Sequence, residues 1–192
     1  MAKSTARKPV PKTASRPNQQ SRSPKFDPGS ANNTDSDASL EELFTSELKE
    51  MYWSENHLVK SLPKMVDAAG SAALRKSLEE HRKITMKQAS RLEQVFDMLG
   101  EKILAKKCAA LEGIVMSGEQ VIESTLAGSA ARDTGIIMAS LKVEHYEITA
   151  YTGLIALANK LGKTDAAGVL SQNLTEEQKS ADMLTGMMQE KK

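Results

Sequence analysis

The chain has 192 residues, which suffice for one ordinary domain with a tail or for two small domains. Its formal net charge of +1 divides into +4 on residues 1–39 and −3 on residues 40–192. The single cysteine, Cys108, excludes an intramolecular disulfide and indicates a reducing, cytoplasmic location. No apolar run approaches the ~20 residues of a membrane-spanning helix, so no membrane association is predicted.

Residues 1–38 form a basic arm that is rich in Pro and Ser. They contain five of the six prolines and offer very little apolar surface to bury, which predicts a disordered segment. Two interpretations of the arm stay open. Its dispersed cations could contact nucleic acid or another anionic partner, or the arm could serve only as a solubilising extension.

Residues 39–190 show the apolar spacing of amphipathic helices, in a composition rich in Ala, Leu, Glu, Lys and Met and poor in aromatics. Ser39 is a candidate N-cap of the first helix, and Pro63 predicts a kink inside it. Gly70 and Gly162 are helix stop signals. The five predicted helices run over about Leu40–Ala69, Ser71–Leu99, Lys107–Ala127, Ala131–Leu161 and Thr164–Met188.

The connections between these helices predict the topology. Only a few residues join the first helix to the second and the fourth to the fifth, which forces each pair into an antiparallel hairpin. The third helix lies in the long segment between the hairpins, and a helix of about 20 residues spans ~30 Å, the length of a bundle. The sequence therefore predicts an all-α four-helix bundle of two hairpins with an extra crossover helix.

Acidic residues interrupt the apolar stripes of this bundle. The stripe of the fourth helix contains Glu144, and Glu147 follows one turn later. Glu55 and Glu147 both lie 15 residues before the glycine that ends their helix. Across the hairpin turns, Glu55 should face the region of His81, and Glu147 should face Glu177. A bundle with pseudo-twofold symmetry would bring these levels together at its centre.

Carboxylates that meet in a low-dielectric core repel one another unless a cation, a hydrogen-bond donor or a metal compensates them. One Glu from each of two helices, with Glu and His from the other two, is the arrangement of carboxylate-rich two-metal bundles. Iron and manganese accept such ligands. Two interpretations stay open at this point: a metal site, or acids that point outward or pair with Lys or Tyr side chains.

Six short segments stand in order across residues 39–188 and read Tyr52-x-x-Glu55-x-x-Leu58, Leu62-Pro63-Lys64-Met65, Arg91-Leu92-Glu93-Gln94-Val95-Phe96, Lys107-Cys108-x-x-Leu111-Glu112-Gly113, Val143-Glu144-His145-Tyr146-Glu147-Ile148 and Leu174-x-Glu176-Glu177. Together they resemble the YciE/YciF stress-protein family, which belongs to the ferritin-like superfamily. The resemblance implies a ferritin-like bundle, a homodimer, and a bacterial cytoplasmic protein linked to stress. It implies much less about a reaction, and whether the chain is an enzyme stays open.

Two positions depart from the family pattern. In the second helix the family usually has His-Leu-Glu-Glu-Thr, whereas this chain has His81-Arg82-Lys83-Ile84-Thr85, so Ile84 replaces an expected acid. In the fifth helix the family usually has an acid one turn after Glu177, but this chain has Ala181 there. The neighbouring Asp182 is predicted to point elsewhere. The site could bind metal with an altered set of ligands, or it could be degenerate and metal-free.

The first functional hypothesis is a metal-binding stress protein that handles oxygen or peroxide. Its iron or manganese, in a di-metal centre, would be held among Glu55, His81, Glu144, Glu147 and Glu177, and Glu144 would work with His81 to compensate for the missing acid. The second hypothesis is a non-catalytic bundle with a degenerate metal site, which acts through dimerisation or through the basic arm.

Three further side chains near these acids are predicted not to be ligands. His145 points about 100° away from Glu144 on the helix, which predicts a surface position. Tyr52 and Tyr151 lie one turn from Glu55 and Glu147 and could donate to carboxylates, but ordinary packing is the favoured prediction.

Overall fold

The computed structural model describes residues 33–189, and these residues contain five α-helices and no β-strand. The helices are α1 (Asn33–Ala68), α2 (Ala72–Leu99), α3 (Ala109–Ser124), α4 (Ala130–Lys160) and α5 (Thr164–Gln189). The all-α prediction is confirmed, and the bounds of α2, α4 and α5 agree with the predicted bounds to within one residue. Residues 1–32 of the predicted arm lie outside the described residues.

The start of α1 differs from the prediction. The helix begins at Asn33 rather than near Leu40, so Ser39 lies inside the helix and does not cap it. The physical reason is visible in the sequence, because Asn33, Asp35 and Asp37 are also residue types that favour a helix N-terminus. Several adjacent residues could therefore start the helix, and apolar spacing alone selected the wrong one.

The helices pack as two antiparallel hairpins, α1 with α2 and α4 with α5. Contacts between α1 and α4 and between α2 and α5 close the four-helix bundle, while α3 packs across α4 and α1 as the crossover helix. This arrangement confirms the predicted topology. No helix in the described part of the chain is both long enough and apolar enough to span a membrane.

The crossover helix is shorter than predicted. It starts at Ala109, where Cys108 caps it by accepting a hydrogen bond from the backbone N–H of Leu111 at 3.5 Å. It ends at Ser124, and Leu126 beyond it is 81 % exposed. Cys108 is buried, and its Sγ also lies 3.0 Å from the hydroxyl of Tyr146.

Two apolar clusters fill the bundle, one toward each end. The first cluster draws on the later part of α1 and the early parts of α2 and α4, with residues such as Leu58, Leu62, Leu74, Leu78 and Ile136. The second cluster draws on the early part of α1, the later parts of α2 and α4 and the start of α5, with residues such as Phe44, Leu48, Leu92, Tyr151 and Leu170.

On each of the four bundle helices, buried polar residues occupy the positions between the two clusters. We call this set the polar layer, and it consists of Ser54, Glu55, His81, Thr85, Gln88, Glu144, Glu147, Asn173, Glu177 and Ser180. Burying so many polar groups is unfavourable unless they find partners, so the layer is present at a cost in stability that apolar residues would avoid.

A side chain from α2 compensates for the proline in α1. Pro63 has no backbone N–H, so the carbonyl of Val59 loses its donor within the helix. The Nε of Arg82 donates to this carbonyl at 3.0 Å. A charge-assisted hydrogen bond between α1 and α2 therefore replaces the backbone hydrogen bond that α1 lacks at Pro63.

We expect Arg82→Met to destabilise the protein by about 1 kcal/mol, because a half-buried carbonyl loses a charged donor. In a Pro63→Ala background the restored N–H can bond to Val59, so the same Arg82→Met change should cost about 1 kcal/mol less. Urea unfolding of the four variants measures this coupling. Equal costs of Arg82→Met in the two backgrounds would contradict the assigned role of Arg82.

Candidate metal centre

Four helices deliver acidic or imidazole side chains to the polar layer. Glu55 comes from α1, His81 from α2, Glu144 and Glu147 from α4, and Glu177 from α5. Glu144 and Glu147 are three residues apart, so a helix presents them on the same face. All five side chains are buried, with at most 6 % of the residue exposed. The structure therefore places all five predicted site residues in one layer.

Four of the five form a compact cluster. His81, Glu144, Glu147 and Glu177 each present one ligand atom, and these atoms all lie within 4.8 Å of one another. The Nε2 of His81 lies 3.4 Å from a carboxylate oxygen of Glu144, which is the pairing expected from the sequence. Glu55 belongs to the same layer but not to this group of four, because its carboxyl group binds the hydroxyl of Tyr151.

Each of the four glutamates has a buried carboxyl oxygen without a hydrogen-bond partner among the described residues. These atoms are Oε2 of Glu55, Oε2 of Glu144, Oε1 of Glu147 and Oε2 of Glu177. A buried oxygen without a donor costs roughly 1–3 kcal/mol, and more when it is charged. Four such atoms in one layer are what a bound cation would require, and they make the residues fit a metal.

Burial raises the pKa of every carboxyl group in the layer. The pKa values of Glu55, Glu144 and Glu147 lie well above their ordinary value, first because of burial. For Glu144 the next cause is a hydrogen bond to Glu177 that favours its protonated form, and repulsion by other glutamates of the layer raises all three values further. Burial also raises the pKa of Glu177 to about 7. Without a cation, these groups therefore tend to keep their protons near neutral pH.

His81 is suited to act as a neutral ligand. Burial lowers the pKa of its imidazole from 6.5 to about 4, so the contact with Glu144 is not an ion pair at neutral pH. The Nδ1 of His81 lies 3.1 Å from Oγ of Ser180 on α5. A proton on Nδ1 that is donated to Ser180 leaves the Nε2 lone pair directed at the glutamates, as metal-binding histidines require.

A hydrogen-bonded chain supports the layer from its other side. The hydroxyl of Tyr151 donates to Glu55, and Asn173 donates to the Tyr151 oxygen at 2.8 Å. Arg91 then donates to the Asn173 side chain at 2.9 Å and to both carboxylate oxygens of Glu176 at 2.6 and 2.9 Å. The chain runs from a half-buried ion pair on α2 and α5 to a fully buried glutamate on α1.

Tyr52 and Tyr151 pack in the second apolar cluster, which was the favoured prediction, and both also donate to carboxylates, which was the stated alternative. Tyr151 donates to Glu55, and Tyr52 donates to Glu93 on α2 at 2.7 Å. Sequence reasoning missed Arg91 and Asn173. A signal was present for Asn173, which lies in the buried stripe of α5 one turn before Glu177, but its partner on another helix could not be read from that spacing.

The two departures from the family pattern have different surroundings. Ile84, which replaces an expected acid, is half-buried. From α2, His81 joins the cluster of ligand atoms and Gln88 donates a hydrogen bond to Glu177. The Gln88 amide donates to Glu177 and so supports an acid without adding a charge. Ala181 is buried on α5, and Asp182 is exposed as predicted.

His145 is exposed, which confirms its predicted surface position. The third histidine, His57, is half-buried and stacks on Trp53 with ring centroids 4.6 Å apart. Neither ring belongs to the cluster of four ligands, so His81 is the imidazole of this site.

The sequence pattern of a family described as a domain of unknown function, DUF892, matches residues 39–192. The chain belongs to the DUF892 family. It is also 36 % identical over 149 residues to protein YciF of Escherichia coli strain K12, across 77 % of this chain and 89 % of that protein. The resemblance noted in the sequence is thereby confirmed.

Solved structures support the same relationship. The E. coli stress protein YciF matches with a TM-score of 0.75 and 35 % identity, over 78 % of this chain and 94 % of that one. YcfI from Rhodopseudomonas palustris, described as a proposed structural protein, matches with a TM-score of 0.73 and 35 % identity, over 76 % and 92 %. Symerythrin from Cyanophora paradoxa, at 18 % identity and a TM-score of 0.50 over 85 % and 88 %, shares the fold alone and confirms the ferritin-like assignment.

The raised pKa of Glu177 predicts how the metal-free protein responds to pH. Because the folded state holds this proton up to about pH 7 and the unfolded state releases it near pH 4.5, the folded state binds more protons in that window. Stability present below pH 4.5 is therefore lost as pH rises to 7, by about 3 kcal/mol. His81 acts with the opposite sign between about pH 4 and 6.5 and offsets part of the total.

The contribution of Glu177 can be isolated with Glu177→Gln, which keeps the shape but cannot ionise. In the presence of a chelator, the free energy of unfolding of wild type should fall between about pH 5 and 7 by roughly 2 kcal/mol more than that of Glu177→Gln. Glu79→Gln on the exposed face of α2 is the matched control and should follow wild type. A parallel pH dependence in Glu177→Gln would refute the assignment.

Proposed function

We propose that this protein binds iron or manganese in the polar layer, through His81, Glu144, Glu147 and Glu177, with Glu55 completing the site. The observation that carries the proposal is the set of four buried carboxyl oxygens without a partner among the described residues, beside a neutral imidazole. A packing role alone would not require His81, Glu144, Glu147 and Glu177 to bring one ligand atom each within 4.8 Å of one another.

The donor set favours these metals on chemical grounds. Several carboxylate oxygens with one imidazole nitrogen suit iron and manganese, whereas the described residues bring no thiolate to the cluster that would favour zinc or copper(I). A divalent cation would also replace the protons that burial keeps on the acids. Metal binding should therefore release protons and become tighter as pH rises.

The function that follows is the handling of oxygen or peroxide in a stress response. A bound iron or manganese ion would supply one-electron redox chemistry. The residues of this chain hold its ligands in place: Ser180 orients His81, Gln88 orients Glu177, and Tyr151 orients Glu55. The two apolar clusters on either side exclude bulk water from the acids.

The setting of this function is proposed from the relatives. One relative is described as the E. coli stress protein YciF, and a similar role is proposed for this chain. A cytoplasmic homodimer, and a contact of residues 1–38 with nucleic acid or another anionic partner, remain predictions from the sequence.

One observation favours a second function. The side chains that α2 brings to the acids are His81 and Gln88, neither of which is an acid, and Ile84 and Ala181 replace two acids of the family pattern. The layer could then be a degenerate site, in which protonated glutamates and amides hold the bundle together for a non-catalytic role. The relative YcfI is described as a proposed structural protein, which agrees with this alternative.

Metal loading separates the two functions. Protein that has been stripped with a chelator, loaded anaerobically with Fe(II) or Mn(II) and desalted should retain at least one metal ion per chain. At a metal concentration of 100 times Kd, the loaded protein should gain about 3 kcal/mol in its free energy of unfolding. Elemental analysis and thermal unfolding measure the two effects.

The matched variants are Glu177→Gln and Glu176→Gln, which lie side by side on α5. Glu177 faces the cluster, whereas Glu176 pairs with Arg91 outside it, so only Glu177→Gln should lose the metal. If wild type retains less than one metal ion per chain and its thermal unfolding does not shift, the metal proposal is wrong and the degenerate site is favoured.

A further inference from the structure

The two hairpins bring unequal side chains to the polar layer. Glu147 and Glu177 lie 15 residues before and after the glycine between α4 and α5. The same distances from the glycine between α1 and α2 fall on Glu55 and Thr85. All four side chains are buried, with at most 1 % of the residue exposed. The second hairpin therefore supplies two acids at the level where the first supplies one acid and one hydroxyl group.

Thr85 does not replace the missing acid. Its hydroxyl donates to the carbonyl of His81 on the same helix at 3.0 Å. A threonine hydroxyl is also neutral, so it cannot offset the charge of a divalent cation as a carboxylate does. The half of the layer that belongs to α1 and α2 is left with Glu55 as its acid.

The imidazoles of a two-metal bundle are missing as well. In such bundles two helices each carry Glu-x-x-His, with the histidine three residues after the acid. Ser180 stands three residues after Glu177, and Gln88 stands three residues after Thr85. Oγ of Ser180 lies 3.1 Å from Nδ1 of His81, and the Gln88 amide donates to Glu177. The imidazole of His81 therefore serves the whole polar layer.

The cluster of four ligand atoms uses most of the available donors. It takes the imidazole of His81 and all three acids that α4 and α5 bring to the layer. Among the described residues, the other buried oxygens without a partner are Oε2 of Glu55 and Oε1 of Gln88. One carboxyl oxygen and one neutral amide oxygen are a poor ligand set for a second ion.

Hydrogen bonds also restrict bridging between two ions. A carboxylate that bridges two ions through both of its oxygens needs both of them free. Tyr151 donates to Oε1 of Glu55, and Gln88 donates to Oε1 of Glu177. Each of these glutamates therefore keeps one oxygen, Oε2, without a partner among the described residues. Such a carboxylate is suited to one ion.

We propose that the polar layer holds a single metal ion rather than a pair. The ion lies at the cluster of four ligand atoms, and the free oxygen of Glu55 completes its ligand shell. Thr85 and Gln88 exclude a second ion, because they stand where an acid and an imidazole would be needed. This inference rests on the proposed function and deepens it by fixing the number of ions.

The metal content at saturation tests this number. Chelator-treated full-length protein that is loaded anaerobically with excess Mn(II) and desalted should retain one ion per chain by elemental analysis. Its electron paramagnetic resonance spectrum should be that of an isolated Mn(II) ion. Two ions per chain, with the spectrum of an exchange-coupled pair, would overturn the single-ion proposal and leave the proposed function intact. No retained metal would overturn both.

Thr85→Glu supplies the acid that the first hairpin lacks. This variant should retain two ions per chain and show the spectrum of a coupled pair. Ile84→Glu, the same acid one residue earlier, is the matched control. Ile84 is half-buried, and the residue at the same distance from the glycine of the second hairpin is Glu176, which pairs with Arg91 outside the cluster. Ile84→Glu should therefore still retain one ion.

Gln88→Glu is the second variant if Thr85→Glu does not fold. It adds a carboxylate beside Glu177 and removes the amide donor, so it should also gain a second ion. Gln88→Met removes the donor without adding an acid and should keep one ion. A folded Thr85→Glu or Gln88→Glu that still retains one ion, or an Ile84→Glu that gains a second, would overturn the roles assigned to these positions.

Discussion

The rest of this structure depends on the burial of four glutamates between two apolar clusters. Water cannot solvate them there, so each carboxyl group must keep a proton, accept a hydrogen bond or face a cation. The protein supplies single donors to some oxygens, from Tyr151 to Glu55 and from Gln88 to Glu177. It leaves a second set of oxygens without partners among the described residues.

The architecture around the layer follows from the same constraint. Glu55 on α1 and Glu147 on α4 both lie 15 residues before the glycine that follows their helix, which brings them to one height, and α2 and α5 add the imidazole and the last acid. Hydrogen bonds between helices then fix that height, through Arg82 and Val59 in one hairpin and through Arg91, Asn173 and Tyr151 across three helices. His81 and Glu144 also help to line an apolar pocket beside the layer.

Much of the site could be predicted from the sequence, because a carboxylate in an apolar stripe is costly and its distance from a hairpin turn sets its height. That reasoning placed Glu55, Glu144, Glu147 and Glu177 in one layer and paired Glu144 with His81. It did not decide whether the tyrosine hydroxyls donate to carboxylates, because that depends on where the other helices lie. It also failed at the ends of α1 and α3, where neighbouring residues offered alternative caps and apolar spacing alone could not choose between them.

The sequence by itself determined the five helices, the two hairpins and the level of the buried acids. These properties follow from periodicity and turn positions, which are local along the chain. The family followed separately, from the resemblance of six short segments. Only the tertiary structure decided which carboxyl oxygens receive a donor, that Gln88 and His81 are the side chains α2 brings to the acids, and that small residues from five helices leave a pocket open. The physical reason is that a stripe fixes the face of a residue on its own helix, whereas its neighbours depend on how the helices rotate and slide as they pack.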